Sequence, residues 1–123
     1  MQLIVAWYSV SDFERAKKFY GDVLGLNKTF EMHFWAEFAH AEGAASIGLN
    51  GAPRGENAPQ PGGDSGATVV LRVDDIEKKQ RELASRGVRF EGKLEEVPGV
   101  VRIATFGDPD GNRLQLCQVL AAK

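Results

Sequence analysis

An α+β fold built from two βαβββ modules is what the 123-residue sequence predicts, and three observations predict it. Strand-like apolar alternation precedes each of two helix-like stretches. Helix-start signals recur, with Ser11 and Asp74, 63 residues apart, each opening a capping-box pattern, and the helix-ending glycines Gly25 and Gly87 lie 62 apart. After each glycine, turn-forming residues cut the chain into pieces of strand length. Half the chain is about that long, so one module written twice accounts for the pattern.

The first strand lies within MQLIVAWYSV, with Leu3, Val5 and Trp7 on one face and Ile4, Ala6 and Tyr8 on the other. Both faces are apolar or aromatic, which predicts burial on both sides. Ser11-Asp12-Phe13-Glu14 then predicts a helix capped by Ser11, carrying Phe13, Ala16, Tyr20 and Val23 at helical spacing and stopped by Gly25. Strands over 28–32, 33–41 and 45–50 follow, with Glu42-Gly43 as a turn. In the second half, the strand Ala67–Val73 leads into a helix capped by Asp74, with Ile76, Leu83 and Ala84 along one face. Strands over 88–97, 100–106 and 112–119 follow, with turns at Pro98-Gly99 and Asp110-Gly111. The organisation is therefore a single domain, 1–123, with modules at about 1–50 and 67–120 joined by GAPRGENAPQPGGDSG. That 51–66 segment holds five glycines and three prolines and reads as a flexible connector or a flap over a site. It is not a phosphate loop, because no lysine follows a glycine at the required spacing.

Composition narrows the function classes. A net charge of −2 and the absence of any basic run or stripe argue against a nucleic-acid partner, and nothing favours a membrane surface. One cysteine precludes an internal disulfide and fits a reducing compartment. The apolar run at the start is too short to span a bilayer and lacks a cleavage signal, so a cytoplasmic location is expected.

The turn Asp108-Pro109-Asp110-Gly111 suits a tight hairpin, after which Leu114 and Leu116 point to one face and Arg113, Gln115 and Cys117 to the other. The leucines belong to a core, and chemistry on this strand would fall to Gln115. HFWAEFAH places His33, Glu37 and His40 at a spacing that mimics a zinc motif on a helix. Aromatic alternation favours a strand, however, where His33 and Glu37 stand about 13 Å apart and His40 points to the other face.

The segments VSDFERAKKFYGDVLGL (10–26), VDDIEKKQRELASRGV (73–88) and DPDGNRLQL (108–116) resemble those of the vicinal oxygen chelate superfamily. That superfamily includes glyoxalase I, the extradiol dioxygenases and the bleomycin resistance proteins. The resemblance covers essentially the whole chain and implies that the paired modules form a curled mixed sheet with a cup-shaped cavity, usually in a homodimer. Metal-dependent members take one ligand from the first and last strand of each module, positions that here are Val5, Gly48, Thr68 and Gln115. An alkyl group, a bare glycine, a hydroxyl and one amide do not supply the three or four convergent donors a divalent ion needs. Slipping the register by one or two residues brings in Cys117 as the one strong ligand and restores no site. No metal and no other cofactor is therefore expected.

Strand parity puts Trp7 beside Val5, Arg72 with Thr68, Ser46 and Asn50 with Gly48, and Arg113 and Cys117 with Gln115. His33, Trp35 and Glu37 join the same wall. Flat aromatic surface, polar groups and two guanidiniums suit a planar, partly anionic small molecule; as a plainer alternative, the tryptophans fill core and the arginines pair on the rim. Three functional readings stand. The first is a metal-free protein that binds and sequesters a drug or metabolite. The second is a glyoxalase- or dioxygenase-like enzyme acting without the four-ligand metal site, with His33 or Glu37 as its acid–base group. The third, a metal-dependent lyase or dioxygenase, lacks its ligands. No catalytic residue is assigned.

Overall fold

Both helices begin at an aspartate whose side chain reaches the third helical amide. In the computed structural model, which describes residues 2–53 and 67–120, these are Asp12, accepting from Arg15 N at 3.1 Å, and Asp75, accepting from Lys78 N at 3.1 Å. Each has an extended backbone, φ −124° and −134°, as a capping residue requires. The caps therefore stand one residue later than Ser11 and Asp74, although the 63-residue repeat is preserved. Ser11 is engaged elsewhere, since its amide (3.1 Å) and hydroxyl both donate to Asp110 Oδ1.

Among the described residues the element order repeats. The first half holds β1 (Val5–Ser9), α1 (Phe13–Lys18), β2 (Asn27–Met32), β3 (Trp35–Ala39) and β4 (Ser46–Asn50). The second holds β5 (Val69–Arg72), α2 (Ile76–Ser85), β6 (Phe90–Val97), β7 (Val101–Gly107) and β8 (Arg113–Val119). Each half makes a four-stranded mixed sheet, in the orders β1-β4-β3-β2 and β5-β8-β7-β6. In both, the first strand pairs parallel with the last, and the remaining pairs are antiparallel. The α+β class and the two βαβββ modules are thus as the repeat predicts. The chain forms two compact units, and the turn Pro109–Asn112 belongs with the first. Most of the expected connector, 54–66, lies outside the described residues.

In the first unit, the even-numbered residues of β3 and the odd-numbered ones of β4 face α1: Ala36, Phe38, Ile47 and Leu49 are buried, as is Ala16 of the helix. The helix does not continue as the 3.6-residue pattern predicts. Phe19–Val23 widens into a π-helical turn, with Leu24 N donating to Phe19 O at 2.9 Å. The wider turn buries neighbours Phe19 and Tyr20 together, where a regular helix would angle them apart. Their rings meet edge to face at 5.3 Å, and Tyr20 reaches Phe38 at 6.2 Å. Gly25 then takes φ +76°, the left-handed stop.

In the second unit, Leu114 and Leu116 of β8 join Phe106 and Ala104 of β7 in the core, against Ile76 and Leu83 of α2. Ala84, expected on that buried face, is exposed. Gln118 Oε1 accepts from Ile76 N at 2.9 Å, so β8 helps cap α2.

Two strand expectations change. β1 is not buried on both sides: among the described residues it stands at the edge of its sheet, paired with β4 alone, and Trp7 remains 42% exposed. His33 does not begin a strand. It occupies a two-residue turn between the paired residues Met32 and Trp35, at φ +54°. Alternation within HFWAEFAH signals strand from Trp35 onward but does not mark where the hairpin bends.

Candidate functional site

Sheet pairing decides which side chains share the face turned away from α1. Trp7 pairs with Gly48, Gly48 with Glu37 and Glu37 with Phe30, while Val5 lies beside Ser46 and Trp35 beside Asn50. Directly paired residues project to the same side of a sheet. Val5, Trp7, Trp35, Glu37, Gly48 and Asn50 are therefore gathered on one face of the first sheet. His33, in its turn, is not part of that row.

Glycine at position 48 makes this arrangement possible. A Cβ built there would lie 2.6 and 2.7 Å from the Trp35 six-membered ring and 2.9 Å from Trp7 Cβ. The Trp35 indole therefore fills the space that a side chain at 48 would need. Its ring meets Trp7 at a centroid distance of 5.9 Å and an angle of 62°, an edge-to-face pair. Trp35 Nε1 donates to Glu37 Oε2 at 2.7 Å, and Ser46 Oγ donates to Glu37 Oε1 at 3.1 Å. The carboxylate is thus fixed by one donor on each oxygen. Asn50 turns instead to its own backbone, accepting from Ala52 N at 3.0 Å.

A cavity of about 370 Å³ opens beside this cluster. Ile4, Thr29, Phe30, Glu37, Glu42 and Ser46 are among its lining residues. Sequence reading placed Glu37 and Ser46 on the face but missed Phe30 and Thr29. The available signal was Phe30 itself, an aromatic set among Lys28, Thr29 and Glu31 in a polar edge strand.

In the second sheet, Gln115 lies between Val70 and Thr105, and Cys117 between Arg72 and Ile103. Gln115 Nε2 donates to Thr105 Oγ1 at 3.1 Å, so the amide is engaged with its cross-strand neighbour. Arg72, Arg113, Gln115 and Cys117 share one face by strand parity, whereas Thr68 falls just before β5 and outside the ladder. Thr105 was not legible as a site neighbour, because the β7–β8 register determines it.

The four positions at which the resemblance implies metal ligands do not fit a metal. Val5 offers no lone pair, the indole of Trp35 occupies the space at Gly48, and Gln115, whose Nε2 donates to Thr105, would bring one neutral amide oxygen. Among the described residues, no three His, Cys, Asp or Glu side chains gather as an ion would need. His33, Glu37 and His40 stand in a turn, a strand and the bend after it.

Among the described residues, no helix is long and apolar enough to cross a membrane. None of the curated proteins matches the chain. Solved structures do. A member of the glyoxalase/bleomycin resistance protein/dioxygenase superfamily from Sphaerobacter thermophilus DSM 20745 is similar at 28% identity and TM-score 0.82, over 96% of this chain and 97% of that one. TnmS3, an antibiotic binding protein from Streptomyces sp. CB03234, is similar at 30% identity and TM-score 0.78, over 97% and 96%. A glyoxalase/bleomycin resistance protein from the same Streptomyces matches at 30% identity and TM-score 0.72, over 94% and 98%. The profile of the Glyoxalase/Bleomycin resistance protein/Dioxygenase superfamily matches residues 3–116, and this chain belongs to that superfamily.

Proposed function

We propose that the chain binds a small molecule without the four-ligand metal site, sequestering a drug or metabolite on the Trp7–Trp35 face. The observation that carries this reading is the half-exposed indole pair beside a cavity, with Glu37 fixed at its edge. A packed core would have hidden Trp7, and exposed aromatic surface next to a concave site is how proteins hold flat ligands. The similarity to an antibiotic binding protein at 30% identity supports it. In this reading Val5, Trp7, Trp35, Glu37, Gly48 and Asn50 form the ligand wall on the first sheet, and Arg72, Arg113, Gln115 and Thr68 are the proposed ligand contacts of the second sheet by itself. His33 joins only as a turn residue at the hairpin tip. The protein acts as a cytoplasmic homodimer with neither membrane nor nucleic acid as partner.

Titration of planar aromatic compounds, followed by intrinsic tryptophan emission, tests the proposal. Saturable quenching is expected, and Trp7→Phe or Trp35→Phe should diminish it and weaken binding by about two- to tenfold, the worth of one aromatic contact. Binding confirmed by calorimetry with unchanged emission in wild type and variants would put the site elsewhere. The enzyme alternative keeps one foothold, since Glu37 is a titratable group at the cavity. Turnover of a bound compound that Glu37→Gln abolishes, with binding intact, would establish it.

A further inference from the structure

We infer that the cavity beside the tryptophans selects an organic cation with an apolar body, an inference that rests on the binding reading and gives it a charge. The volume of about 370 Å³ suits a small molecule of modest size. Among the described residues, its lining includes the carboxylates Glu37 and Glu42 and no lysine, arginine or histidine. Glu37 is already served by Trp35 Nε1 on one oxygen and by Ser46 Oγ on the other. Each carboxylate oxygen has two lone-pair sites, so each keeps one, and only a donor can use it. An ammonium or amidinium satisfies that geometry with a charge-assisted hydrogen bond, whereas an anion would meet like charge. The remaining wall suits the ligand's body, since Ile4 is 71% and Phe30 46% exposed at the cavity. The guanidiniums that suggested an anionic ligand, Arg72 and Arg113, belong to the second sheet.

Matched tricyclic probes test the inference on the full chain by calorimetry at low ionic strength: cationic 9-aminoacridine against anionic anthracene-9-carboxylate. The cation should bind about tenfold tighter, as expected for one charge–charge contact of roughly 1.4 kcal/mol. Glu37→Gln keeps an oxygen for the indole N–H while removing the charge, and should erase most of that preference. Glu42→Gln, in a surface turn, should reduce it with the melting temperature unchanged, which guards against misreading an unfolded Glu37 variant. Equal or tighter binding of the anion, or a cation preference indifferent to both substitutions, overturns the charge assignment and leaves the binding reading standing. Failure of both probes to bind overturns the two together.

Discussion

Replacing Gly48 by alanine should destabilise the protein, although the general rule points the other way. A glycine inside a strand costs about 0.5–1 kcal/mol relative to alanine, because it gives up more chain entropy on folding. Were the space above Gly48 empty, the substitution would therefore stabilise. Instead the new methyl would sit 2.6 Å from the Trp35 ring and 2.9 Å from Trp7 Cβ, both inside contact distance. Trp7 Cβ is fixed to its backbone and cannot retreat. Only the indole can give, and moving it strains or breaks the 2.7 Å bond to Glu37. Overpacking of this kind costs about 1–3 kcal/mol, and a hydrogen bond to a charged partner contributes about 1.5–3 kcal/mol. A net loss of about 1–3 kcal/mol lowers the melting temperature of a chain this size by roughly 4–12 °C. Thermal unfolding followed by circular dichroism measures it, and a double-mutant cycle isolates the cause. In a Trp35→Ala background, Gly48→Ala should cost clearly less, the remaining cost coming from Trp7 Cβ at 2.9 Å. A Gly48→Ala variant as stable as wild type, or one equally destabilised in both backgrounds, would refute the packing account.

Asp12→Ala and Asp75→Ala should each cost about 1 kcal/mol in denaturant midpoint, since each removes a side-chain cap. Ser11→Ala should cost a similar amount, about 1 kcal/mol, but Asp110→Ala should abolish its effect, because Ser11 acts on Asp110 and not on α1. Untagged protein should carry far less than one transition metal per chain by elemental analysis, and adding zinc or nickel should leave methylglyoxal–glutathione turnover at background; a tightly held stoichiometric metal would contradict the donor set. Sedimentation at micromolar concentration should show a homodimer, and a lone species near 13.4 kDa would exclude it.

The sequence carried much of this because turns and caps are local. Gly25, Gly43, Gly87, Gly99 and Gly111 all adopt positive φ at stops or turns. Leu114 and Leu116 are buried as their alternation demands. What eluded reading depended on competition between neighbours. Ser11 and Asp12 can both cap a helix, as can Asp74 and Asp75, and the choice follows from where the chain enters the helix. Nothing in FYGDV announces a π-helical turn, which exists because two adjacent aromatics are both accommodated in one core. Strand parity grouped Trp7, Trp35, Glu37 and Gly48 on one sheet face, as the pairing has them, since a period of two needs no partner strand. It did not reveal the indole–carboxylate bond, which depends on side-chain rotation, nor that the register sets Gly48 beside Trp7 with Val5 beside Ser46.

The turn at Pro109–Asn112 bears on the history of the repeat. Asn112 Nδ2 donates to Ser9 O at 3.2 Å, Arg15 reaches Pro109 O at 3.4 Å, and Asp110 receives Ser11, all across more than ninety residues of chain. A first half expressed alone would leave the Ser9 carbonyl and the Ser11 hydroxyl to water and would lose the clamp on the start of its helix. The two modules have therefore ceased to be interchangeable parts. A repeat still visible in the spacing has become, through four residues of one turn, a chain that must be synthesised as far as Asn112 before its first unit is complete.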